Sequence, residues 1–98
     1  MIIRIVKLEF QEDKIEAFLE HFESVKWQVN QFPGCQGMKL LQDSKDPCIV
    51  LTYSQWENEE ALLIYRNSAF FQGLWPMIKP WFRVKAEAWS VNEYFSGF

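Results

Sequence analysis

Histidine occurs once in this 98-residue sequence and cysteine only twice. A zinc site of the usual kind draws three or four side chains from those types, so none can be assembled. Long apolar runs are also missing. No stretch approaches the ~20 residues that a membrane span requires. The N-terminal MIIRIVKLEF places Arg4, Lys7 and Glu9 inside its apolar segment, so it is expected to be neither a signal peptide nor an anchor. The expectation is a cytoplasmic protein with no membrane partner. Basic charge is scarce as well: ten Lys and Arg against thirteen Asp and Glu give a formal net charge of -3. Nucleic acid requires a basic face, and Lys79, Arg83 and Lys85 are too few to track phosphates. Repeats, linkers and low-complexity segments are absent, so residues 1–98 read as a single domain, with 93–98 as a tail.

The two cysteines can be placed by pattern. Cys35 precedes one strand and Cys48 opens the next, across a turn at Asp43–Pro47. In that hairpin they lie at opposite ends, about 20 Å apart at ~3.3 Å per residue. A disulfide needs Cα atoms within about 7 Å, so both are free thiols.

What the chain does have is apolar and aromatic mass, 49% and 17% of residues. For a short domain that is rich, and it implies apolar surface buried against something else. Aromatic residues concentrate in WENEEALLIYRNSAFFQGLWPMIKPW, from Trp56 to Trp81, which Gly73, Pro76 and Pro80 interrupt. An unbroken amphipathic helix would not carry that punctuation, so the stretch reads as two short helices in series. Asn58 is the N-cap of the first, with Glu59 and Glu60 in its first turn. Ser68 caps the second, whose Phe71, Leu74, Trp75 and Ile78 follow the i, i+3, i+4, i+7 spacing. Pro76 should kink that helix or end it early.

The remaining pattern is simple. Residues 2–10 form a strand with Ile3 and Ile5 on one face and Ile2, Val6, Leu8 and Phe10 on the other. Residues 12–32 form a long helix with an apolar stripe of Ile15, Phe18, Leu19, Phe22, Val25 and Val29. Its opposite face, Glu12, Asp13, Glu16, Glu20 and Glu23, is a solvated surface rather than a metal or catalytic set. Trp27 falls on that acidic face, and His21 at the edge of the stripe. A lone histidine on a helix flank is ordinarily structural, yet it is also the one imidazole available as a general base. Phe32-Pro33-Gly34 ends the helix. Residues 36–42 and 48–55 make the hairpin, with Ile49, Leu51 and Tyr53 opposite Val50, Thr52 and Ser54. Residues 83–93 alternate as a last strand.

The order is βαββαβ, the ferredoxin-like split βαβ pattern of an α+β domain with a four-stranded antiparallel sheet. Helices cover one face of that sheet, and the other also carries large apolar residues. A second copy packed sheet to sheet would cover it, so a homodimer is expected, with the aromatic tail reaching the partner.

The phrases Phe32-Pro33-Gly34-Cys35, Tyr53-Ser54-Gln55-Trp56-Glu57, Glu59-Glu60-Ala61-Leu62, Tyr65-Arg66-Asn67-Ser68 and Ala88-Trp89-Ser90 recur at familiar spacings. With them the sequence resembles the antibiotic biosynthesis monooxygenase (ABM) family of the dimeric α+β barrel superfamily, over about residues 1–92. The resemblance implies a homodimeric barrel with a pocket between each sheet and its helices. Some members oxidise polycyclic phenols or quinols with O2 and no metal, flavin or other cofactor. For that task the wall candidates are Tyr53, Tyr65, Phe71 and Trp75. Tyr65 is the leading polar contact, and Tyr65, His21 and Arg4 are the candidates for handling a proton. Haem-degrading relatives use an asparagine on the first strand, a tryptophan on the middle helix and a histidine ligand further on. Here the first strand has no asparagine, and Tyr65 and Trp75 stand near the other two positions, so all three are absent and haem degradation by that mechanism is not expected. Two readings follow: a cofactor-independent monooxygenase of a small aromatic phenol or quinol, or a ligand-binding, stress-related dimer with the same pocket and no chemistry. A third, isomerisation or lactone handling on the same scaffold, stands behind them.

Overall fold

The first strand, β1 (Ile2–Glu9), alternates as its sequence demands and ends up in the middle of the sheet, paired on both edges. The computed structural model describes residues 1–98 and continues with α1 (Ile15–Asn30), β2 (Cys35–Gln42), β3 (Ile49–Trp56), α2 (Glu59–Arg66), α3 (Ala69–Ile78), a 3-10 turn at Lys79–Trp81, and β4 (Glu87–Val91). The strands form one antiparallel sheet in the order β2-β3-β1-β4. This is the ferredoxin-like α+β arrangement, with all helices on one face.

Register decides what faces the helices. Arg4 pairs with Ser54 and Ser90, Val6 with Thr52 and Ala88, and Leu8 with Val50, so these residues share the helix-side face. Ile5, Leu51, Tyr53 and Trp89 share the other face. Leu41 and Trp89 there are exposed, and Ile5 and Leu51 are half-buried.

Helix α1 begins at Ile15 rather than residue 12, since residues 12 to 14 form a turn closed by the Lys14 amide on the Gln11 carbonyl at 2.9 Å, and Lys14 at the N-cap supplies no side-chain acceptor. Its acidic face is solvated and Trp27 is 63% exposed, as the helical wheel requires. Gly34 adopts φ +87 just past the helix, and its carbonyl accepts from the Glu57 amide at 2.9 Å. A Cβ at Gly34 would lie 2.6 Å from the Ala61 Cβ, so both the backbone angle and the contact with α2 require glycine.

The broken helical stretch is built from two local caps. Asn58 Oδ1 accepts from the Ala61 amide at 2.8 Å and Ser68 Oγ from the Phe71 amide at 3.1 Å. Pro76 does not end α3, which runs on to Ile78 before tightening into the 3-10 turn around Pro80. Late in a helix, proline's missing N–H removes a single intrahelical bond, and the buried Ile78 holds the last turn down.

The last strand is shorter than its alternation suggests. Between the Lys7–Glu87 pair and the Phe10–Phe82 bridge, the first strand spends residues 8 and 9 while the segment leading into β4 spends residues 83 to 86. Two residues cannot pair with four, so the ladder breaks. Arg83 fills the break, with Nε 2.8 Å from Glu9 Oε2 and Nη2 2.6 Å from Asp46 Oδ2. Both cysteines are free, Cys48 buried and Cys35 half-buried.

Two apolar clusters hold the layers together. One joins Leu8, Phe10, Ile15, Phe18, Cys48, Val50 and Ile78. The other joins Val29, Trp56, Leu62 and Tyr65. No helix is long and apolar enough to cross a membrane.

Candidate functional site

The space between the two clusters is not filled. A cavity of about 510 Å³ lies between the helix-side face of the sheet and the helices. That volume falls within the ~300–1,000 Å³ typical of small-molecule sites. Its floor is Arg4, Val6, Thr52, Ser54 and Ala88 from three strands. Phe18, His21, Phe22 and Val25 of α1 form one wall. Tyr65, Arg66, Phe71, Leu74 and Trp75 form the other.

A continuous chain of rings runs along and behind this hollow, with Tyr65, Phe71, Trp75 and Phe18 on its surface. Phe32 meets Tyr65 at 5.1 Å between ring centroids, Tyr65 meets Phe71 at 5.3 Å, and Phe71 stacks on Trp75 at 5.8 Å. Trp75 then meets Phe82 at 5.5 Å, Phe82 meets Phe10 at 5.2 Å, and Phe10 stacks on Phe18 at 4.3 Å. Rings in edge-to-face and offset contact brace one another, which keeps an apolar wall standing beside empty space.

Polar groups are few and differently held. Ser54 is 8% exposed, and its Oγ accepts from Trp56 Nε1 at 2.9 Å and donates to the Arg4 carbonyl at 3.5 Å. Arg4 Nη1 donates to Ser90 Oγ at 3.0 Å. Burial pushes the Arg4 guanidinium below its ordinary range, and the positive charge of Arg66 pushes it the same way. Tyr65 is buried against Trp56, and burial raises its phenol from 10.0 to about 12, with a smaller contribution from Cys35. At neutral pH that phenol is protonated, so it donates and cannot serve as a base. His21 Nε2 is buried without any hydrogen-bond partner. No three His, Cys, Asp or Glu side chains are grouped so as to hold a metal.

Of the residues singled out from sequence, Arg4, His21, Tyr65, Phe71 and Trp75 are brought together around this one cavity. Tyr53 is not. It pairs with Ile5 and Lys39 on the far face of the sheet, where Lys39 Nζ sits 5.6 Å from its ring centroid and Gln55 Nε2 donates to its hydroxyl at 3.2 Å. The two-residue period of β3 sends Thr52, Ser54 and Trp56 toward the helices and Tyr53 away from them. Sequence reasoning also passed over Ser54, Arg66 and the α1 rings as site residues. The α1 stripe carried a signal for Phe18 and Phe22, since it had to face the sheet. Arg66, at the end of α2, stood only within the Tyr65-Arg66-Asn67-Ser68 phrase of the family resemblance, with nothing to assign it to the site.

Fold and site together define a ferredoxin-like α+β domain with a small-molecule pocket between sheet and helices. The family model for "Antibiotic biosynthesis monooxygenase" matches residues 1–74, and the chain belongs to that ABM family. Solved structures share the fold. A Nitrosomonas europaea protein provisionally assigned as an antibiotic biosynthesis monooxygenase superposes with a TM-score of 0.88 at 20% identity, covering 97% of this chain and 100% of its own. A conserved protein from Methanosarcina mazei gives 0.86 at 20% identity, covering 95% of this chain and 93% of its own. A Mycobacterium tuberculosis protein gives 0.87 at 10% identity, covering 99% and 98%. No curated protein matches the chain.

Proposed function

We propose that this protein is a cofactor-independent monooxygenase that oxidises a small aromatic phenol or quinol with O2. The observation that carries the reading is the cavity of about 510 Å³ with its aromatic wall and a buried, unpartnered His21 Nε2 on the opposite side. Phe71 and Trp75 stack against the substrate ring. Tyr65, protonated because its phenol is raised to about 12, donates a hydrogen bond to a substrate oxygen. His21 Nε2 accepts the proton of the substrate hydroxyl or ring C–H, which is the step that lets an electron-rich anion react with oxygen. One oxygen atom enters the ring as a new carbonyl and the other leaves as water. The substrate supplies all four electrons, and the proton held by His21 returns with the water. The apolar walls keep bulk water from the anion.

The ABM resemblance supports a homodimer, as does the far face of the sheet, where Leu41 is 48% and Trp89 44% exposed. Tyr94, Phe95 and Phe98 of the tail are exposed and in reach of such a partner. That dimer would act in the cytoplasm.

The absence of any hydrogen bond at His21 Nε2 equally suits a second reading, a dimer that binds an aromatic ligand without transforming it. O2 uptake separates the two. Chelator-treated protein incubated with a panel of hydroquinones and anthrones should consume O2 above the autoxidation background with at least one of them. Ligand-induced thermal stabilisation with no enhanced uptake from any member would leave the binding reading in place.

A further inference from the structure

The cavity carries two positive charges and no negative one. None of the chain's thirteen Asp and Glu lines it, whereas Arg4 and Arg66 both do. The ion pairs of the molecule lie elsewhere: Lys26 with Glu23, and Arg83 with Glu9 and Asp46. Arg83 shows how this chain satisfies an arginine that serves structure, with a carboxylate on each side. The pocket arginines are treated differently. Arg4 has one neutral partner, Ser90 Oγ at 3.0 Å, and no hydrogen bond from the Arg66 side chain is formed within the chain. Arg4 is half-buried on the floor and Arg66 is exposed beside it at the end of α2.

Two like charges at one apolar hollow are unfavourable, and the half-buried Arg4 loses part of its hydration there while feeling the charge of Arg66. A guanidinium with free donors in a planar fork is suited to a carboxylate. The remaining lining is mostly apolar, so the anionic portion of any occupant is small compared with its ring body. We infer that the natural ligand is an aromatic acid, whose ring-borne carboxylate sits between Arg4 and Arg66 while its rings lie along Phe71 and Trp75. The inference rests on the reading of this cavity as the substrate site and adds a fixed anionic group to the phenol or quinol. It also accounts for an acidic protein keeping its acids out of the pocket, since any carboxylate in the lining would compete with the ligand's own.

A matched pair of probes tests it. Naphthol and hydroxynaphthoate differ by the carboxylate alone, and tryptophan fluorescence or calorimetry reads both dissociation constants. Hydroxynaphthoate should bind about tenfold or more tighter than naphthol, which is ~1.4 kcal/mol, and added salt should erode that preference. Arg4→Gln and Arg66→Gln should each narrow the ratio, and the double variant should bring it to about one. Arg4→Lys, which keeps the charge and the strand packing, should retain part of it. Equal affinities in the wild-type protein, or a preference that survives the double variant, overturn the inference. The oxygenase reading fails separately. Tight hydroxynaphthoate binding without O2 uptake by any carboxylated hydroquinone supports the aromatic-acid assignment and ends the oxygenase one. Uptake with neutral quinols and no carboxylate preference does the reverse.

Discussion

Tyr65 shows how burial sets what one side chain can do. Its ring lies among Trp56, Phe32 and Phe71, and its phenol is raised from 10.0 to about 12. The sign of the pH effect follows from proton counting. Between those values the unfolded chain releases the Tyr65 proton while the folded chain keeps it. Stability is therefore complete below pH 10.0 and declines as pH rises toward about 12. The loss is about 3 kcal/mol at 1.36 kcal/mol for each pH unit, an upper figure for a group that is not wholly enclosed. Tyr65→Phe should remove this part of the alkaline decline, which paired denaturant melts of wild type and variant across that range would reveal. Parallel curves would mean that the phenol is not desolvated. In turnover, the same variant should lower kcat by about tenfold, the usual scale for one lost hydrogen bond to a charge-bearing oxygen. Unchanged turnover would remove Tyr65 as the polar contact. His21→Gln should cost more, ~10²-fold or greater, if its imidazole is the base.

At the scale of elements, the molecule depends on short local devices. Asn58→Ala and Ser68→Ala each delete an observed cap and should cost about 1 kcal/mol in chemical denaturation. Gly34→Ala should cost more, about 2 kcal/mol or above, because it strains a left-handed backbone angle and also drives a methyl into Ala61. A loss below about 0.5 kcal/mol would mean that the turn after α1 relaxes freely. These devices were legible in the sequence because caps and turns act within a few residues. Asn58 before two glutamates and Ser68 before an apolar stripe announce helix starts wherever they occur. The face of Tyr53 was not legible. Alternation along β3 shows that Tyr53 and Ser54 point opposite ways, but only the packing of the helices decides which side is inside. The early start of β4 failed for a related reason. Alternation continues through residues 83 to 86, yet pairing depends on how many residues the neighbouring strand offers.

For the molecule as a whole, the βαββαβ order and the ABM resemblance agreed with the topology and with the family match, since both rest on patterns spread along the chain. The cavity itself was less accessible. Aromatic residues in a broken helical stretch are compatible with a solid core, and only the separation of the two apolar clusters leaves the space open. Arg66 contributes to that space from an exposed helix end, where the Tyr65-Arg66-Asn67-Ser68 phrase gave no sign that its side chain faces a pocket. The greasy far face of the sheet leads to a further expectation: light scattering should return twice the chain mass. Charged replacements at Leu41 and Trp89 should shift the population toward single chains, since desolvated charge opposes burial of that face. A wild-type mass equal to one chain would remove the dimer.

The proposed activity requires that a bound aromatic anion meet oxygen in the cavity without help from a metal or cofactor. Turnover of a hydroquinone or anthrone substrate by chelator-treated protein under isotopically labelled O2 measures that directly. Product should carry one labelled oxygen atom, form faster than autoxidation and be slowed by His21→Gln. Product formed only at the autoxidation rate, with the substrate nevertheless bound, would contradict the proposed activity.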